Sequence, residues 1–134
     1  MNAIHSPLAL VMLALLVGSG CGPRPVVGGT AGKLSTGGNP LSEMQVNVYR
    51  ADRSNEAPLG FGVTAADGSF ELMRPAAAGP LTLEPGQYRF TVESIGSPIR
   101  LPKKYSDAEK SPLTVDWQAD QPLSLQIPGL RLPK

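Results

Sequence analysis

Two patterns of apolar and polar positions divide this chain. Residues 8–17 (Leu-Ala-Leu-Val-Met-Leu-Ala-Leu-Leu-Val) form an uncharged apolar run that ends in the small residues Gly18, Ser19 and Gly20. From residue 43 onward the apolar positions instead recur at every second residue, in short runs. Met44, Val46 and Val48 alternate with Gln45, Asn47 and Tyr49, a period that marks a strand with one buried face. Leu59, Phe61 and Val63 alternate in the same way with Gly60, Gly62 and Thr64. Phe70 and Leu72 are expected to face the core. Tyr88, Phe90 and Val92 share one face of a long strand, with Arg89, Thr91 and Glu93 on its wet face. Residues 113–117 and 123–127 alternate as well, and residues 119–122 between them predict a short hairpin connection. Residues 26–34 read as a Gly-loosened edge strand.

The punctuation agrees with strands. Gly (15) and Pro (14) fall at regular intervals between the apolar runs, which leaves no room for long helices. Asp67-Gly68 is the strongest turn signal, since Asp and Gly tolerate the positive φ that a tight hairpin demands. Residues 74–86 predict a loop, residues 105–111 at most one short helix, and residues 130–134 a frayed end. No internal repeat is evident. About seven short strands with turns every 8–12 residues predict an all-β, antiparallel β-sandwich.

The apolar run at residues 8–17 is too short to span a bilayer, which takes roughly 20 residues, and matches the 7–15 residues of a signal-peptide core. Cys21, the only cysteine, follows directly and is itself followed by the Gly/Pro-rich residues 22–25. This arrangement resembles the signal peptide and lipobox of a bacterial lipoprotein. The resemblance implies cleavage before Cys21 and attachment of diacylglycerol and acyl groups, such as palmitate, to that residue. An ordinary secretory signal with a free cysteine and an uncleaved short anchor are the other readings of these residues. The expected organisation is a signal peptide at 1–20, a tether at 21–25, a β-domain at 26–130 and a tail at 131–134. Gly22 is not the Asp that retains lipoproteins at the inner membrane in enteric-type bacteria, so an outer-membrane or periplasm-facing envelope position is expected.

Charge adds little and excludes something. All 12 basic and 11 acidic side chains lie beyond residue 20, scattered, with a net charge of +1. Nucleic-acid binding would call for a basic stripe. His5, the only histidine, lies in the segment expected to be removed, so Ser-His-Asp, Cys-His and Cys/His zinc chemistry have no residues to work with in the mature chain. No catalytic, cofactor or metal residue is therefore expected. Asp107 and Glu109 with Asp116 and Asp120 are the only carboxylates that could line a weak calcium site, and solvated surface charge is the simpler reading. Residues 28–34 end in Gly32-Lys33 but lack the spacing of a phosphate loop. Trp117, Tyr49 and Tyr105 are the candidates for a sugar-stacking platform; Trp117 has the parity of core residues.

The stretch Gly62-Val63-Thr64-Ala65-Ala66-Asp67-Gly68-Ser69-Phe70, followed by Leu83-Glu84-Pro85-Gly86-Gln87-Tyr88-Arg89-Phe90-Thr91-Val92, resembles a carboxypeptidase regulatory-like domain. Its hallmarks are a Thr-x-x-Asp-Gly-x-Phe hairpin and a Pro-Gly-x-Tyr turn before a Val-rich strand. Residues 101–107 and 111–115 resemble small envelope lipoproteins of planctomycete-type bacteria that carry this domain. The resemblance implies a transthyretin-like (prealbumin-like) sandwich and a non-catalytic accessory, spacer or adhesion role. The hydrolase branch of that fold needs histidines and a C-terminal Tyr-Arg-Gly-Ser, both missing here. The expected function is a membrane-anchored structural or protein-interaction module, with polysaccharide binding or nutrient capture as the alternative.

Overall fold

A computed structural model describes residues 27–119 and 121–132, and within them the chain is all-β. Eight strands form two four-stranded sheets: β1 (Ala31–Thr36), β2 (Asn39–Pro40), β3 (Met44–Arg50), β4 (Gly60–Val63), β5 (Ser69–Glu71), β6 (Gly86–Ser94), β7 (Leu113–Trp117) and β8 (Leu123–Gln126). One sheet is built around β1, which pairs antiparallel with β5 and then β2 along one edge and parallel with β8 along the other. The other sheet has the order β4-β3-β6-β7 and is antiparallel throughout. The short helix expected at 105–111 is a single 3-10 turn, Lys103–Ser106, followed by a hydrogen-bonded turn.

The core lies between the sheets and is assembled by the alternation. Leu34, Phe70, Leu123 and Leu125 enter it from the first sheet, Met44, Val46, Val48, Tyr88, Phe90 and Val92 from the second. Val46 stands opposite Val92 and Val48 opposite Phe90, so apolar pairs face the core across the central strands. Trp117 is buried, and its indole N–H donates to the Leu83 carbonyl at 3.3 Å. The Tyr88 hydroxyl donates to the Glu84 carbonyl at 2.6 Å, which fastens the Pro85-Gly86 turn to the strand it starts.

Both turn motifs have local explanations. The Gly68 amide donates to Ala65 and the Ala65 amide to Ser69, a turn in which Gly68 alone takes positive φ, at 80°. Asp67 contributes its carboxylate rather than a left-handed backbone, accepting from the Ser69 amide at 3.0 Å. The Thr64 hydroxyl accepts from the buried Met44 amide at 3.0 Å, while the Thr64 amide donates to the Met44 carbonyl. That threonine completes the β3–β4 ladder where the strands end.

Five expectations are corrected. The sandwich is not antiparallel throughout, because β8 pairs parallel with β1. Strand β1 starts later than expected and is central, flanked by strands on both edges. Its glycine allows this: a Cβ on Gly32 would stand 2.7 Å from the Phe70 ring and 2.9 Å from the Leu123 carbonyl. In β4 the alternation holds but the faces are inverted. Gly60 and Gly62 are buried while Val63 is 40% exposed, because the chain after β5 crosses too closely for side chains; a Cβ on Gly60 would lie 2.2 Å from the Met73 carbonyl oxygen. Residues 119–122 do not form a hairpin, since β7 belongs to one sheet and β8 to the other. Leu130 and Leu132 are not frayed but half-buried against the core.

Candidate interaction surfaces

The strand directions give the sandwich two poles. Val27 emerges at one of them, where the Thr30 amide donates to Leu81 and the Thr30 hydroxyl accepts from the Leu83 amide at 2.9 Å. The end of β7 meets Gly86 at the same pole. At the opposite pole lie the Gly37-Gly38 hairpin, the 64–68 turn, the end of β6 and the segment after β8, tied in by the Ile127 amide to Ser35. Cys21, the expected lipid-attachment residue, and His5 lie outside the described residues. Among the described residues no helix is long and apolar enough to cross a membrane.

The other sequence candidates are distributed rather than gathered. Asp107 accepts from the Glu109 amide at 2.9 Å within its own turn, whereas Asp116 stands on β7 opposite Gln87. Asp120 lies outside the described residues, among which no three His, Cys, Asp or Glu side chains are grouped to hold a metal ion. Hydrogen bonds from the Ser69 hydroxyl, then its amide, hold the Asp67 carboxyl below its ordinary pKa, and Lys33 adds to this in the same direction. Gly29 and Gly32 are required by close packing: a Cβ on Gly29 would fall 1.8 Å from the Leu72 carbonyl oxygen. Trp117 and Tyr105 are buried; Tyr49 is half-exposed.

Tyr49 shares the outer face of the β4-β3-β6-β7 sheet with Phe61, also half-exposed because of the inversion in β4. A polar ladder runs beside them. Gln45 Nε2 donates to Asn47 Oδ1 at 3.0 Å and Asn47 Nδ2 donates to the Thr91 hydroxyl at 3.1 Å. Asn47 and Thr91 are buried although they stand on the face expected to be wet. Further along β6, the Arg89 guanidinium donates to the carbonyls of Ala108 (3.1 Å) and Glu109 (3.0 Å), which straps the 107–111 turn over that sheet.

Two adjoining clefts open at the pole opposite Val27. One, of about 620 Å3, lies between residues 98–102 and 129–132, with an aliphatic floor of Ile99, Leu101, Leu130 and Leu132. The other, of about 750 Å3, lies between the end of β6 and residues 97–103, with Glu93, Arg100 and Lys103 on its walls. Neither is evident in the sequence, because each segment alternates over only three residues and forms no strand. The usable signal was the Pro after each of Leu101 and Leu132, which drives the preceding residue into extended conformation. The chain matches no protein-family profile, no curated protein and no solved structure.

Proposed function

We propose that the protein is a membrane-anchored, non-catalytic envelope lipoprotein whose transthyretin-like sandwich serves as a structural or protein-interaction module. The observation that carries the reading is the position of Cys21, after an apolar run of signal-peptide length and three small residues, and six residues before the described domain begins. A lone cysteine in an exported chain has no disulfide partner, and acylation gives it a use. Two four-stranded sheets around one core support the sandwich class. The absence of any imidazole beyond His5 supports a role without acid–base or metal chemistry in the cleaved chain.

Metabolic labelling with palmitate in a bacterial host tests the anchor. The wild-type chain takes up label and fractionates with membranes, and Cys21→Ser does neither. Equal labelling of the two proteins overturns the reading. Polysaccharide binding remains the second reading, favoured by Tyr49 and Phe61 on one face beside Gln45, Asn47 and Glu93. Binding to a glycan array that is lost in Tyr49→Ala would establish it in place of the first.

A further inference from the structure

One short phrase occurs twice in the sequence. Ile99-Arg100-Leu101-Pro102-Lys103 and Leu130-Arg131-Leu132-Pro133-Lys134 differ only in the first aliphatic residue. Five residues are too few for a structural repeat, yet Ile99–Pro102 of the first copy and Leu130–Leu132 of the second both line the 620 Å3 cleft. In both, the aliphatic residues turn inward and rest half-buried against the core, while Arg100 and Arg131 are exposed. Among the described residues, the amides of Arg100, Leu101, Leu130, Arg131 and Leu132 donate to no other backbone group. Among the described residues, the walls of this cleft carry two guanidinium groups and no carboxylate. Exposed Lys103 and Lys104 follow immediately, and Glu93 in the adjoining cleft is the acidic group facing Arg100 and Lys103.

We propose that this pole is a docking groove for an extended acidic peptide segment of a partner protein. Arg100 and Arg131 hold its carboxylates, the aliphatic floor takes its apolar side chains, and the free amides pair with its backbone. Each part of the groove discriminates between partners. A guanidinium binds a carboxylate with two parallel hydrogen bonds. An anionic lipid surface would satisfy the charge but offers no extended backbone for the amides. A polyanionic glycan offers nothing for the aliphatic floor. The nine-residue β6 sets this pole about 30 Å from the one at which Val27 emerges, so a domain standing upright on Cys21 would hold the groove clear of the bilayer.

The inference rests on the protein-interaction reading above, and binding in solution tests it without reference to lipidation. The full chain, solubilised in detergent, is titrated against a fluorescein-labelled octapeptide of alternating Glu and Val, with fluorescence anisotropy as the readout. Wild type binds this peptide, and the Gln-Val counterpart binds about tenfold more weakly or not at all. Arg100→Gln with Arg131→Gln weakens binding by about tenfold, whereas Arg50→Gln with Arg53→Gln, which removes equal charge at the opposite pole, leaves it within about twofold. The proposal is overturned if wild type does not bind, or if both double variants lose affinity equally. It is also overturned if the groove arginines matter only for vesicles of equal phosphatidylglycerol and phosphatidylcholine. A partner crosslinked through another face would then leave the interaction-module reading standing without this groove.

Discussion

Gly60→Ala puts two physical arguments in direct opposition. In a strand, Gly is the poorer residue by roughly 0.5–1 kcal/mol, because it loses more backbone freedom on folding than Ala. Gly60 has no left-handed backbone, so its conformation admits any residue. On local grounds the substitution should stabilise. Packing reverses the sign. The new Cβ would stand 2.2 Å from the Met73 carbonyl oxygen, 3.1 Å from the Met73 carbonyl carbon and 2.7 Å from Leu81 Cδ2. Leu81 can swing away, but Met73 pairs with Phe61 through two backbone hydrogen bonds and cannot withdraw without breaking them. Overpacking of this kind costs about 1–3 kcal/mol, and a lost buried hydrogen bond adds about 1 kcal/mol, so a net loss of about 2 kcal/mol is expected. Equilibrium urea unfolding followed by the fluorescence of Trp117, the single tryptophan, measures it. With an m-value of about 1.5–2 kcal/mol/M, the midpoint falls by about 1 M. Val63→Thr on the opposite face of β4, 40% exposed, should stay within about 0.5 kcal/mol. A raised midpoint in Gly60→Ala, or a comparable loss in Val63→Thr, would refute the inverted orientation of β4.

Three further outcomes follow from side chains that complete the backbone's hydrogen bonding. Thr64→Val strands the buried Met44 amide and should cost about 1–3 kcal/mol in urea unfolding, while Thr64→Ser keeps the hydroxyl and should cost under about 1 kcal/mol. The lowered pKa of Asp67 means that its contribution to stability is full above the unfolded-state value and is lost as pH falls through the folded one, below about pH 4. Wild type should therefore exceed Asp67→Asn in urea midpoint at pH 6, with the gap closing on acidification; a gap that does not depend on pH would contradict this. Arg89→Lys keeps the charge but cannot bridge the carbonyls of Ala108 and Glu109, so amide hydrogen exchange at Lys110 and Ser111 should accelerate while the β3 and β6 amides keep their protection.

The strands legible in the sequence were those whose side chains decide their own burial. In β3, β6, β7 and β8 the large apolar residues point inward because nothing blocks them, and a period of two is then sufficient. Strand β4 misled because its facing was settled by another segment: once the Met73 backbone crosses at the Gly60 Cβ position, only glycine can occupy the inner face and Phe61 must stand outside. The central place of β1 was hidden for a related reason. Its Gly32 looked like a weakness in a strand, whereas it is what lets Phe70 and Leu123 close over it. Residues 119–122 carried ordinary turn signals that state where the chain bends, not which sheet it enters next.

The same distinction separates the two proposed sites. The proposed anchor at Cys21 rests on a linear pattern, an apolar run and small residues before a cysteine, which can be read whatever fold follows. The proposed groove of Arg100 and Arg131 is not legible in this way, since the three alternating residues of each copy are too few to mark an element. It acquires meaning only when the parallel pairing of β8 with β1 carries the second copy to the pole where β6 delivers the first. In the proposed arrangement an anchor on the Val27 side and a cationic groove at the opposite pole would divide the work along the sandwich, with the strands setting the distance between them.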